Sequence, residues 1–174
     1  MALLDWAKHS VEAKAGNLQA FCRVGVATHP ALLAITSSTS DTSIVNRGRF
    51  VVEKLACSHV PDPPPNVNVD LAQLDEKTGG KLTGRQLAER HAGEPACASC
   101  HKFMDPFGLV FENFDAIGRH RNEDNGLPID TSVELDDALG ITGKFSGAEA
   151  LLGALGGAFE ASRNVACAAW EIRA

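Results

Sequence analysis

The stretch "CASCHKFMDPFGLVFENFDAIGRHR", residues 97–121, decides how this 174-residue chain is interpreted. Two cysteines, Cys97 and Cys100, stand three positions apart, and His101 follows at once. The second half of the stretch supplies much of the aromatic content of the chain, with Phe107, Phe111 and Phe114. A motif of potential metal-binding or redox residues is therefore followed directly by an apolar, aromatic segment.

The spacing Cys-x-x-Cys-His is the attachment signature of a c-type haem. Residues three apart on a helix face the same side, so the sulfurs of Cys97 and Cys100 can bond the two vinyl groups of one haem. The histidine that follows becomes the proximal iron ligand. With 5 cysteines and 6 histidines in the chain, chance would produce about 0.005 such matches. We predict covalent haem c, held by Cys97 and Cys100 and ligated by His101.

Two other uses of the cysteines stay open. A structural zinc site needs about four ligands, and Cys57 with His59 could supply a second pair beside Cys97 and Cys100. A thioredoxin-like redox pair requires a strand followed by a helix, which the mostly helical pattern of this chain does not offer.

Composition narrows the class of protein. Hydrophobic residues make up 44% and charged residues 22% of the chain, as in ordinary globular proteins. The net charge is -6 and no basic cluster occurs, which argues against a nucleic-acid partner. The longest apolar runs are far shorter than a membrane span. The opening "MALLDWAKHS" lacks the features of a signal peptide.

Helical signals dominate the pattern. We predict a short helix within residues 3–22, a helix that starts at Pro30, and a helix capped by Ser43 or Thr42. The proline-rich segment "VPDPPPNVNV", residues 60–69, predicts an extended connector. Two further helices are predicted, one from the capping box of Thr83 and Gln86 and one from a cap at Ser146. Asn125-Gly126 predicts a tight turn between them. The pair Gly156-Gly157 predicts a split in the last helix.

Two segments, "GVATHPALLAITSSTSDTSIVNRGRFVVEKLACSHVPDPPPNV" (25–67) and "CASCHKFMDPFGLVFENFDAIGRHRNEDNGLPIDTS" (97–132), carry a family resemblance. The chain resembles the planctomycete-type secreted cytochrome c domain and the secreted domain that follows it, over about residues 25–174. The run 97–130 is the most specific part. The ending "CAAWEIRA" departs from the family pattern, which finishes with an aromatic residue and "GR".

The resemblance implies a mainly α fold, a cytochrome c-like helical domain with a small β-hairpin. We predict an N-terminal helical segment (1–24), a cytochrome c-like haem domain (25–120), and a hairpin with C-terminal helices packed on it (121–174). The resemblance also implies a single haem attached at Cys97 and Cys100 and ligated by His101, and a disulfide between Cys57 and Cys167. The family pattern carries histidines at the positions of His29 and His91.

The second iron ligand is harder to assign. Met104 lies three residues after His101 and shares its helix face, so it can hardly reach the opposite side of the haem. The candidates are the remaining histidines: His9, His29, His59, His91 and His120. We predict His29 as the distal ligand, because its distance in sequence allows it to approach the far face, whereas His91 lies only six residues before Cys97 and could fold over the haem edge or cap its own helix. Four arginines could hold the haem propionates or be solvated: Arg47, Arg49, Arg119 and Arg121.

We therefore expect a module that carries electrons in the bacterial cell envelope, periplasmic or otherwise extracytoplasmic, with its leader removed or left out. Its partner would be a redox protein or a larger exported parent assembly. One alternative is a haem enzyme of the peroxidase or oxidase type, with acid–base candidates at Asp105, Glu112 and Asp115. The other is a structural domain without haem in a larger exported assembly.

Overall fold

The computed structural model describes residues 26–39, 41–61, 82–93 and 95–162. This part of the chain is about half helical and contains two small antiparallel hairpins. The predicted helix within residues 3–22 and most of the proline-rich connector lie outside the described residues. None of the helices in the described part combines the length and the hydrophobicity that a bilayer crossing requires.

Two N-terminal helices begin as their sequence signals predict. After a 3₁₀ turn at Val26–Thr28, α1 spans Pro30–Ile35 with proline in its first turn. Helix α2 spans Ile44–Phe50, and the side chain of Ser43 caps it by accepting a hydrogen bond from the Asn46 amide. The chain then continues through a π-helical turn at Val51–Leu55.

Helices α3 and α4 follow and carry the cysteine motif. Helix α3 spans Gly84–Ala92, and the predicted capping box is present: Thr83 and Gln86 each accept a hydrogen bond from the other's backbone amide. Helix α4 spans Pro95–Leu109. It packs against both α2 and α3, and its apolar side enters the core.

The predicted tight turn forms the first hairpin. Strand β1 (Glu123–Asp124) pairs with β2 (Leu127–Pro128) around Asn125 and Gly126, whose φ angles of 51° and 75° fit a type I′ turn. A second hairpin, β3 (Ser132–Ala138) with β4 (Ile141–Ser146), was not predicted. Its signal is the alternation that buries Val133 and Leu135 on one face of β3.

Helix α5 spans Gly147–Ser162 without a break. It begins directly after Ser146, but the predicted split at Gly156-Gly157 is wrong. A glycine in a helix costs about 1 kcal/mol relative to alanine, which weakens a helix without ending it. The buried side of α5, with Leu151 and Leu155, joins the same core as α2, α4 and β3.

Candidate functional site

The cysteine motif occupies the first turns of α4. Because Cys97 and Cys100 are one helical turn apart, their side chains lie on neighbouring positions of the same face. Cys97 is buried, Cys100 is half-buried, and both are free thiols. His101, the next residue, is buried. The three residues of the predicted attachment motif are therefore held on one rigid helix.

His101 is oriented by a carboxylate on the same helix. Its Nδ1 atom lies 3.0 Å from each oxygen of Asp105, one turn further along α4. A carboxylate accepts hydrogen bonds, so the pair places a proton on Nδ1 and leaves Nε2 as the nitrogen with a lone pair. Metal-bound histidines are commonly held by a second partner of this kind. The i, i+4 spacing of His101 and Asp105 could have predicted this contact. From the sequence, however, Asp105 was predicted only as an acid–base candidate.

His91 packs against His101. It lies in the last turn of α3 and is buried. The two ring centroids are 4.6 Å apart and the ring planes meet at 79°. Only residues 93 and 94 separate α3 from α4, so the fold keeps these two imidazoles close together.

An open pocket of about 520 Å³ lies beside His101. It is bounded by α3, α4 and β3, and His101 and Asp105 form part of its wall. The α3 side contributes the small side chains of Ala88 and Ala92. The rim is mostly acidic and includes one lysine: Glu89, Glu134, Asp136, Asp137 and Lys102.

The cysteine motif of α4 and the pocket beside His101 fit a covalent haem in three respects. Both thiols are free, the Nε2 atom of His101 is available to a metal, and the pocket beside it is of small-molecule size. The acidic rim disfavours the haem propionates on the β3 side, because like charges repel. Cys97, Cys100 and His101 would hold the haem, as the sequence predicts.

The described residues contain no cluster of three or more histidine, cysteine or acidic side chains that could hold a metal ion. Cys57 is disulfide-bonded, so its sulfur is not a zinc ligand. The zinc site built from Cys57, His59, Cys97 and Cys100 is therefore wrong. The bond at Cys57 agrees with the disulfide that the resemblance implies, and its expected partner Cys167 lies outside the described residues.

Arg47 binds the segment that directly follows α4. Its buried guanidinium donates hydrogen bonds to the carbonyl oxygens of Phe111, Phe114 and Asp115 at 2.8–3.0 Å, and to the Ser37 hydroxyl at 3.0 Å. Burial lowers the pKa of Arg47 to about 10, although nearby carboxylates oppose this shift. This arginine holds the fold together and is not directed at a ligand.

Glu112 is buried beside Arg47. It accepts hydrogen bonds from the Thr42 hydroxyl and from Arg121, each at 3.2 Å. Arg121 also donates to Asp124 at 2.8 Å. Burial raises the pKa of Glu112, and the charges of Arg121 and Arg47 counteract only part of that effect. Glu112 therefore belongs to a structural network and not to an acid–base pair.

The other two arginines are also paired. Arg49 donates to Glu53 at 2.7 Å, and the exposed Arg119 donates to Asp115 at 2.9 Å. Burial raises the pKa of Asp115, but hydrogen bonds from Arg119 and Ile117 outweigh it and keep the pKa below its ordinary value. With Arg47 and Arg121, all four predicted propionate partners bind groups of the protein itself.

His29 and Met104 lie in settings unlike that of His91. His29 is exposed and caps α1, where its Nδ1 atom accepts a hydrogen bond from the Ala31 amide at 3.3 Å. Met104 is buried in the hydrophobic core. Among the described histidines, His91 is the one whose ring packs on His101. The assignment of His29 as distal ligand stays a prediction.

Comparison with known proteins identifies one family. Residues 23–124, more than half of the chain, match the family PSCyt3, described as a protein of unknown function (DUF1588). The matched part includes α1–α4, the cysteine motif and the histidine pair. No curated protein matches the chain, and no solved structure matches it. The chain therefore belongs to the PSCyt3 family, whose function is unknown.

Proposed function

We propose that this chain is a c-type cytochrome module with a cytochrome c-like haem domain, which carries one covalent haem and transfers electrons in the bacterial cell envelope. The observation that carries the proposal is the arrangement on α4. Two free thiols lie one turn apart, and the histidine after them is held by Asp105 with Nε2 left for a metal. When bound, haem supplies a one-electron couple at its iron.

The cysteine chemistry supports the location outside the cytoplasm. Disulfides persist in oxidising compartments, and Cys57 is disulfide-bonded. In the same compartment a Cys-x-x-Cys pair is prone to oxidation, so a thioether at each sulfur would protect Cys97 and Cys100. The net charge of -6 suits a redox partner or a larger exported assembly that presents a basic surface.

One observation favours a second candidate, a haem enzyme of the peroxidase or oxidase type. The Asp105 carboxylate makes the His101 imidazole a more basic ligand, and basic ligands stabilise higher oxidation states of iron. The pocket beside His101 could admit a small oxidant. The contact between His91 and His101 favours the electron carrier, because a second imidazole close by competes for an open iron site.

The test is production of the chain in a bacterial host that matures c-type cytochromes. The proposal expects the haem to stay with the polypeptide after denaturation and extraction with acidified organic solvent. Cys97→Ala with Cys100→Ala should lose the pigment, and Ser99→Ala, between the cysteines, should retain it. Extraction of the wild-type pigment into the solvent would refute covalent attachment. Rapid turnover of peroxide by a high-spin wild-type protein would favour the enzyme.

A further inference from the structure

We infer that His91 is the second axial ligand of the iron, opposite His101. This inference rests on the proposed function, because it requires the haem that Cys97 and Cys100 would attach. The protein would then be a bis-histidine, low-spin electron carrier with both axial positions filled.

The position of His91 next to His101 supports this assignment. Its ring is buried and its centroid is 4.6 Å from that of His101. Two imidazoles that bind one metal from opposite sides have centroids about 6 Å apart, given metal–nitrogen distances of about 2.0 Å. An increase of the centroid distance by about 1.4 Å would therefore convert the observed contact into shared ligation.

The surroundings of His91 and His101 also support this assignment. Ala88 and Ala92 of α3, one on each side of His91 in the sequence, line the pocket that His101 also borders, and their small side chains limit the bulk of α3 on that side. In haem c the thioethers form at the edge of the ring and the axial ligands bind at the centre.

The other candidate ligands lie in less suitable positions. His29 is exposed and engaged in capping α1. Met104 shares the helix of His101 and lies in the core. His120 packs edge-on against Phe114, with centroids 5.9 Å apart. Among the described residues, His91 alone combines burial with ring contact to His101.

The experiment measures the ferric spin state of the full holoprotein by absorption and electron paramagnetic resonance. Wild type should be low-spin. His91→Ala should lose the low-spin signal and gain a high-spin one, and added imidazole should restore the low-spin signal. His91→Gln serves as a second variant in case alanine disturbs α3. The matched controls, His29→Ala and His120→Ala, should keep the wild-type spectrum.

The outcomes separate this inference from the proposed function on which it rests. Haem that stays covalently attached while His91→Ala and His91→Gln remain low-spin would overturn the assignment of His91 and leave the cytochrome intact. Loss of the low-spin signal in His29→Ala would transfer the role to His29. A wild-type protein without covalent haem would overturn both statements.

Discussion

Gly48 of α2 and Gly108 of α4 lie against each other where the two helices cross. A Cβ atom on Gly48 would lie 3.2 Å from the Gly108 amide nitrogen and would overlap the carbonyl oxygen of Met104. A Cβ atom on Gly108 would lie 3.1 Å from the Gly48 amide nitrogen and would overlap the carbonyl oxygen of Ile44. The helix that carries the site is thus seated by direct contact between two backbones.

Gly108→Ala should destabilise the protein, because the added methyl group forces α2 and α4 apart. Overpacking of this kind costs about 1–3 kcal/mol, measurable as a lower free energy of unfolding in urea. The control is Gly153→Ala in α5, where nothing lies within 4 Å of an added Cβ. That change should stabilise by up to about 1 kcal/mol through helix propensity. Equal effects of the two substitutions would contradict the close crossing.

Glu112 should make stability depend on pH with an uncommon sign for a carboxyl group. Its pKa is higher in the folded than in the unfolded protein because of burial. Its contribution is therefore fully present below the unfolded pKa of about 4.5 and is lost as the pH rises through the folded pKa. Relative to Glu112→Gln, the wild type should lose free energy of unfolding over that range. Urea unfolding across a pH series measures the difference, and parallel curves would exclude this role.

Asp105→Asn should raise the reduction potential of the proposed haem. The carboxylate increases the basicity of His101 and so favours ferric iron, whereas a neutral amide does so less. A tenfold change in this preference corresponds to roughly 60 mV, readable by potentiometric titration. Asp136→Asn, which removes a charge from the same pocket rim without a bond to His101, is the matched control. A shift of equal size in both variants would assign the effect to charge alone.

Asp124→Ala should loosen the first hairpin and the start of α3 together. The Asp124 carboxylate accepts hydrogen bonds from the Gly84 amide at 2.7 Å and from Arg121 at 2.8 Å. Loss of such bonds costs about 1–3 kcal/mol, seen as a lower unfolding midpoint. Glu123→Ala changes an exposed neighbour in the same strand and should have little effect. An unchanged unfolding midpoint for Asp124→Ala would show that α3 is held in place by its packing and capping box alone.

Cys57 should be found joined to Cys167 when the protein is digested without reduction and its peptides are identified by mass. The long loop closed by this bond would stabilise the fold by about 3–5 kcal/mol in the chain-entropy model. Reduction should therefore lower the unfolding temperature. A peptide that joins Cys57 to Cys22 would replace the predicted pairing.

The sequence was informative where a structure depends on a few neighbouring residues. The Thr83–Gln86 capping box, the Ser43 cap and the Asn125-Gly126 turn are local, and the structure contains each of them. By contrast, the second hairpin depends on packing of β3 against α4, which no short motif signals.

In the candidate site, too, local features were predictable from the sequence and tertiary contacts were not. The spacing of Cys97, Cys100 and His101 was readable because all three lie on adjacent turns of one helix. The contact of His91 with His101 depends on how α3 folds back onto α4, and the partners of Arg47 are 64–68 residues away along the chain. Contacts between such distant residues arise from the tertiary fold, so the sequence alone could not choose correctly among several arginines and histidines.

The bonds that Arg47 makes beyond the end of α4 have a consequence for biogenesis. They join only groups of the polypeptide, so the C-terminal half of the site helix can acquire its place during folding of the apoprotein. The N-terminal half follows a connection of only two residues and borders the open pocket through Ser99, His101 and Lys102. An attachment enzyme would therefore meet a chain whose scaffold is already built, with Cys100 partly exposed and Cys97 buried at the reactive turn.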